Sequence, residues 1–451
     1  MKYFRHIHLY AAIVMALSTL ASEAAATGPV DISSGNPVTV IPDKSTGLDC
    51  IYVLETADGA VALYDGGGSP TFSRFSNLGA AYAEELTNVE HLGNGLYRIP
   101  LDNRDMGYMI HDNATGRNKC FWVVDYSAHA LRLESVAPAP EAACDRMTFN
   151  FTGKADAIDY YTINGRREEL SREIEIEYQN LTFDETSFSY RQTEQTEYLS
   201  HIGPTFTIQA PLCDTHVTLS GDRFLKAWNR AETIQSASVP ATAVAVETKA
   251  TQTTVASDNE QKDGDSEGLG GSAPCEIIFE AAVSDAAIFR EWQISRTPEF
   301  DIIENSYNDT EFTYTFRENG TTYIRFIAAD ADNVCTAEST VYQIFIGESK
   351  LDIPNAFSPG STPGVNDEWK VSYRSIIDFE CHIFNRWGTE MTSFTDPSQG
   401  WDGKYGGKLV PAGTYYYVIN ATGADGVKYK RSGDINIINF TTGPHGSDTA
   451  E

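Results

Sequence analysis

At 451 residues the chain is too long for one hydrophobic core and points to three or more domains. Hydrophobic residues at 41% and aromatics at 11% exclude a disordered chain. A net charge of −30 argues against nucleic acid and anionic lipid as partners, since both call for a basic face.

In chain order, Lys2 and Arg5 precede an apolar stretch, Leu9–Leu20, and the small residues Ala24, Ala25 and Ala26. This is the pattern of a signal peptide over residues 1–26, cut after Ala24 or Ala26. The apolar stretch is too short for a bilayer span, and no Cys follows closely enough to suggest a lipid anchor.

A β-rich unit is expected over 27–138. Its strand-like runs are Ile51–Glu55, Ala60–Tyr64, Tyr97–Pro100, Gly107–His111 and Cys120–Tyr126, with a hairpin turn at Asn113–Gly116. Asp65-Gly66-Gly67-Gly68 lacks a following Gly-Lys-Ser/Thr and a helix, so it reads as a loop and not as a phosphate cradle. A sandwich follows over 139–255, as one domain or two. Its strands include Met147–Phe151, Ile158–Ile163, Ile174–Tyr178, Ser187–Arg191, Thr205–Gln209 and Val217–Ser220. Phe224–Trp228 suggests a short helical turn and Ala241–Thr251 one further strand of this unit. Residues 256–273 are acidic, rich in Gly and Ser and free of aromatics, the composition of a flexible linker.

The next unit, 274–348, opens at Cys275–Phe279 and carries Trp292 on the strand Glu291–Ser295. Gly320-Thr321-Thr322-Tyr323 and the alternation after it resemble the late strands of a PKD-like or immunoglobulin-like module.

The last unit, 351–438, is the most informative. It contains Pro354-Asn355-Ala356-Phe357-Ser358-Pro359, Asn366-Asp367, Asn385-Arg386-Trp387-Gly388, Trp401-Asp402-Gly403 and Pro411-Ala412-Gly413-Thr414-Tyr415. Pro411 to Gly413 is a turn signal, after which Tyr415, Tyr417 and Ile419 share one strand face. This unit holds eight basic and ten acidic residues up to Phe440, so −28 of the net charge lies elsewhere. Trp387, Trp401 and the tyrosines read first as core and hairpin packing. Together the ordered motifs resemble the gliding-motility-associated C-terminal domain, the type B sorting module of type IX secretion. That resemblance implies a small β-sandwich, passage across the outer membrane and docking on a PorP/SprF-like barrel protein. The family's first loop has a central Asn-Gly-Asp-Gly stretch with the look of a calcium loop. Here Gly360–Val365 replaces it, and with the central Asp gone no metal is expected. A polar tail, 439–451, closes the chain.

The fold class expected is all-β: tandem immunoglobulin-like or PKD-like sandwiches ending in a sorting sandwich. Of the seven cysteines, six fall into pairs 70, 69 and 60 positions apart. Export permits disulfides, and this spacing suggests Cys50–Cys120, Cys144–Cys213 and Cys275–Cys335, with Cys381 a buried free thiol. No Cys-x-x-Cys occurs, so zinc is not expected, nor is any other cofactor.

The sequence lacks His-Glu-x-x-His, Gly-x-Ser-x-Gly and Gly-x-x-x-x-Gly-Lys. Acid pairs such as Glu168 with Glu169, or Asp330 with Asp332, read as solvated turn charge. The chain is therefore expected not to be an enzyme. Three classes stay open: a surface-presented interaction protein with an unidentified protein or glycan ligand, a secreted hydrolase with its site in 29–255, and a structural plug of an envelope complex.

Overall fold

The computed structural model describes residues 28–102, 104–261, 268–360, 364 and 366–438. The expected signal peptide with Ala24 and Ala26, residues 262–267 of the acidic run and the tail 439–451 lie outside them. Among the described residues no helix is long and apolar enough to cross a membrane.

The fold is all-β, built as successive sandwiches. In the first, Asp31–Ile32, Val61–Asp65, Leu96–Pro100 and Glu90–Gly93 form a four-stranded sheet. Facing it is a six-stranded sheet centred on Cys50–Leu54, Arg117–Asp125 and Met106–Asp112. Tyr52, Leu54, Ala62, Tyr64, Phe72, Tyr108 and Phe121 fill the space between. Cys50–Leu54 pairs in parallel with Phe121–Asp125. Both runs are buried at every position, so the second face of this sheet is covered as well. Ile51, Val53, Trp122 and Val124 point into a second core, which continues through Phe149, Ile174, Ile176 and Leu219 of the next sandwich. The first two sandwiches thus share one continuous apolar interior.

The second sandwich sets Arg132–Ala142, Arg146–Lys154 and Thr205–Gln209 against a four-stranded sheet built on Ile174–Asp184 and Ser189–Leu199. Its first strand begins at Arg132, ahead of the boundary expected at 139. The short helix expected near Phe224 is Arg223–Ala227, capped by the Asp222 carboxylate on the Leu225 amide.

One strand was expected in the wrong unit. Val246–Gln252 pairs antiparallel with Cys275–Val283, register Val246 opposite Val283, and opens the third sandwich. Period-two alternation identifies a strand but not the sheet it joins. The third core contains Phe279, Trp292, Ile324 and Phe326. The fourth sandwich centres on Gly413–Gly423, flanked by Ile376–Phe384 and Lys428–Ile437, over Trp369, Cys381, Trp401, Ile419 and Ile435.

The cysteine pairing needs correction. The structure joins Cys144 to Cys335, tying a turn of the second sandwich to a turn of the third. That bond replaces both Cys144–Cys213 and Cys275–Cys335; Cys213 and Cys275 are buried free thiols. Cys50 and Cys120 are also free. The register explains why. Cys50 sits opposite Phe121, so Cys120 points to the other face of the same sheet, into the other core. Chain spacing measures how far apart two thiols are along a fold, not which face each occupies. Cys381 is buried and free, as read from the sequence.

The acidic linker is also less free than its composition implied. Leu269–Gly271 pairs in parallel with Ile344–Ile346, and Ser257–Gln261 is hydrogen-bonded to the fourth sandwich. Short polar residues form such bonds without any hydrophobic signature.

A buried ion pair pins the first two sandwiches together. Arg172 and Asp222 have no solvent exposure, and Arg172 Nη1 donates to Asp222 Oδ2 at 2.7 Å. Tyr126 of the first sandwich donates its hydroxyl to the same oxygen at 2.9 Å. Arg172 also donates to the carbonyls of Asp156 at 2.7 Å and His129 at 2.5 Å. Burial raises the Tyr126 phenol above its ordinary pKa, with the Asp222 charge adding to the effect.

Candidate docking site on the C-terminal module

Most motif residues of the fourth sandwich build its frame. Trp369 donates Nε1–H to the Pro354 carbonyl at 2.6 Å, and the Asn355 carbonyl accepts the Asn436 amide at 2.8 Å. Phe357 is buried against Trp401, ring centroids 5.7 Å apart. Pro359 packs so closely over Gly403 that a Cβ there would meet it at 2.9 Å, and φ at Gly403 is +71°. Glycine is needed there on both counts. Asp367 closes the first loop by accepting the Gly360 amide at 3.0 Å and the Gly364 amide at 2.5 Å. Asn366 takes the left-handed conformation, φ +55°, and its carbonyl accepts the Ser358 amide. Both Asp367 oxygens are therefore engaged by the backbone. Among the described residues no group of three or more His, Cys, Asp or Glu is placed to hold a metal ion.

The second turn has a similar design. Asp402 accepts the Lys404 amide at 3.0 Å and pairs with its ammonium at 2.7 Å. Those hydrogen bonds hold the Asp402 carboxyl below the usual carboxylate range. Trp401 and Tyr415 are buried, the latter donating its hydroxyl to the Pro411 carbonyl at 3.0 Å. Gly413 starts the central strand. For Trp401 and Tyr415 the packing role expected from the sequence is the one observed.

Trp387 is different. Its side chain is 74% exposed, at the tip of the hairpin between Ile376–Phe384 and Glu390–Phe394. Asn385 and Gly388 make that tip. The Asn385 side-chain oxygen accepts the Trp387 amide at 2.9 Å and the Thr389 amide at 3.0 Å, and Gly388 has φ +81°. The packing role expected for Trp387 is thus corrected. The hairpin holds Trp387 outward with Arg386, whose guanidinium lies over its ring at 4.2 Å. Among the described residues Arg386 makes no ion pair. A groove of about 400 Å³ runs beside the pair, lined by Arg386, Trp387, Met391, Tyr405, Pro411 and Tyr415. Tyr405 and nearby Leu409 are each more than half exposed. An apolar floor with a cation at its edge suits contact with another protein.

Among the described upstream residues the polar pairs read from the sequence are engaged in turns and surface contacts. Glu168 pairs with Arg166 at 2.6 Å, and Asp330 accepts the amides of Val334 and Cys335. Ser200, His201 and Glu169 do meet, at 3.1 and 2.8 Å, but both contacts fall on His201 Nδ1. A hydrolytic triad needs the serine on one ring nitrogen and the carboxylate on the other.

Comparison with known proteins follows these boundaries. Residues 351–437 match the family described as CHU_C Type IX secretion signal domain, and residues 135–236 match the fibronectin type III domain. Both are non-catalytic kinds of domain. Comparison with the curated proteins finds no match. Among solved structures, dimeric latent PorU from Porphyromonas gingivalis aligns at 10% identity and TM-score 0.15, over 71% of this chain and 35% of that one. The chain thus spans about a third of that protein's length, and the likeness bears no structural argument. The chain is a multidomain β-sandwich protein in which one segment matches the fibronectin type III domain and a later one the CHU_C type IX secretion signal domain.

Proposed function

We propose that the type IX signal delivers this chain to the cell surface or medium by docking its Arg386–Trp387 tip on a PorP/SprF-like outer-membrane barrel protein. A signal peptide over residues 1–26 would supply the first export step. The upstream sandwiches then serve as a non-catalytic display, binding a protein or glycan through their loops. The observation that carries the docking role is an exposed tryptophan stacked with an arginine that has no carboxylate partner among the described residues. Neither side chain is part of the module's core, and Trp387 shares its groove with the exposed Tyr405, so the tip presents apolar surface of the kind that marks an interaction site.

The test is cell fractionation with surface proteolysis, comparing the full chain with one lacking 351–451. Periplasmic accumulation of the truncated chain is expected. Its unchanged arrival at the surface would place the address elsewhere. Trp387→Ala in the full chain is the finer probe, expected to reduce co-purification of the barrel partner while the protein stays folded.

A further inference from the structure

The signal domain at 351–437 is held by a segment that lies far upstream of it in the chain. Ser257–Gln261 falls between Val246–Gln252, the first strand of the third sandwich, and the remainder of that sandwich, yet it lies along Val371–Tyr373 of the fourth. Glu260 forms a parallel bridge with Tyr373. The Gln261 amide donates to the Tyr373 carbonyl at 2.7 Å, and the Tyr373 amide donates to the Asn259 carbonyl at 3.2 Å. Asn259 Nδ2 donates to the carbonyls of Val371 and Pro397, both at 2.8 Å. Gln261 Nε2 reaches Asp352 at 2.7 Å, and the Ser257 and Tyr373 hydroxyls meet at 3.0 Å. Asp258 pairs with Lys370 at 3.3 Å.

These bonds satisfy backbone groups on the strand Ser372–Arg374, whose other side pairs with Lys350–Asp352. Without Ser257–Gln261 that edge would be open, and an open strand edge invites pairing with other chains. The third sandwich adds its own ties. The Ser375 amide donates to Ser272 at 2.7 Å, and Ser349 bonds Asp425 at 2.7 Å. The signal domain is therefore gripped by the segment that follows the third sandwich's opening strand and by the join that follows the whole of that sandwich.

We infer that the working export module of this chain is composite: Ser257–Gln261 serves as an added edge strand that closes the signal domain and leaves the Arg386–Trp387 end as its open face. This rests on the reading of 351–437 as the export address. It closes one strand edge, Ser372–Arg374, at the end of the module away from the Arg386–Trp387 tip and so favours the tip as the place where the barrel partner docks.

The experiment uses the full chain carrying Asn259→Ala and Gln261→Ala, beside the chain lacking 351–451. Hydrogen exchange is measured at Val371–Arg374 and delivery by surface proteolysis. Loss of the side-chain bonds is expected to speed exchange at the Tyr373 amide about fivefold or more and to reduce surface delivery. Unchanged exchange would mean that the Asn259 and Gln261 side chains do not hold the segment on this edge and would overturn the inference. Faster exchange with full delivery would overturn it too, since the segment would then be structural alone. If the chain lacking 351–451 reaches the surface normally, the underlying reading fails, whatever the two substitutions do.

Discussion

Asp222→Ala tests whether the first two sandwiches unfold as one body. Asp222 is fully buried and accepts from the Arg172 guanidinium, the Tyr126 hydroxyl and the Leu225 amide. Removing it leaves Arg172 charged and buried, and Tyr126 without its acceptor. Breaking a buried pair in this way costs about 3–5 kcal/mol. Loss of the helix cap adds about 1 kcal/mol, though contacts sharing one carboxylate do not sum independently. At roughly 2–4 °C per kcal/mol for a unit of about 200 residues, the midpoint should fall by about 10 °C. Asp222→Asn retains an acceptor for the cap but not the charge, so its difference from the unsubstituted chain isolates the charge. The decisive assay is hydrogen exchange in the first sandwich. Tyr126 belongs to that sandwich and Asp222 to the second, and their interiors are continuous. Amides of Ile51–Leu54 should therefore lose protection along with those of the second sandwich, by about a hundredfold or more. If Ile51–Leu54 keeps its protection while the second sandwich loses its own, the two are separate folding units and the argument fails.

The remaining predictions are narrower. Non-reducing peptide mapping should recover Cys144 joined to Cys335 and five free thiols. Burial pushes Cys50 and Cys381 up to about 12 and Cys120 and Cys275 up to about 11, so alkylation at pH 8 should require denaturant. Trp387→Ala should change stability by less than about 0.5 kcal/mol, whereas Trp401→Ala should cost about 3–5 kcal/mol. Equal losses by thermal unfolding would contradict the exposure assigned to Trp387. His382 bonds Glu380 at 3.1 Å and Glu390 at 3.2 Å, which raises its pKa, Glu380 contributing most. A raised native pKa stabilises the fold at pH below the free-histidine value, and that contribution disappears as pH rises through the native value. NMR titration should place His382 above free histidine, and Glu380→Gln should bring it down.

The all-β fold and the C-terminal module were legible because alternation and turn chemistry are local. Tyr415, Tyr417 and Ile419 announce a strand by their spacing alone. What stayed hidden was which strand meets which. Val246–Gln252 reads as a strand in any context, and only pairing with Cys275–Val283 assigns it to the third sandwich. Cys50 and Cys120 lie at a plausible separation and on neighbouring strands, yet one position of register puts them on opposite faces. Nothing in the sequence marks Arg172 and Asp222 as the buried members among the many charged residues. Trp387 was misjudged for the converse reason. Aromatic residues are so often core that a sequence cannot mark the one raised on a hairpin tip.

The bond between Cys144 and Cys335 turns 191 positions of chain into a covalent ring. A single backbone cut inside that ring, including one within the acidic run 262–267, liberates no fragment; the two new ends stay tethered until the bond is reduced. Outside a cell, where reduction is slow, nicking and shedding thus become separate events. One cut can part the upstream sandwiches from the signal domain only beyond Cys335. The join Gly347–Ser349, between the strands Tyr342–Ile346 and Lys350–Asp352, is the short stretch where it would do so. A nicked molecule would run at full length on a non-reducing gel and as two bands once reduced.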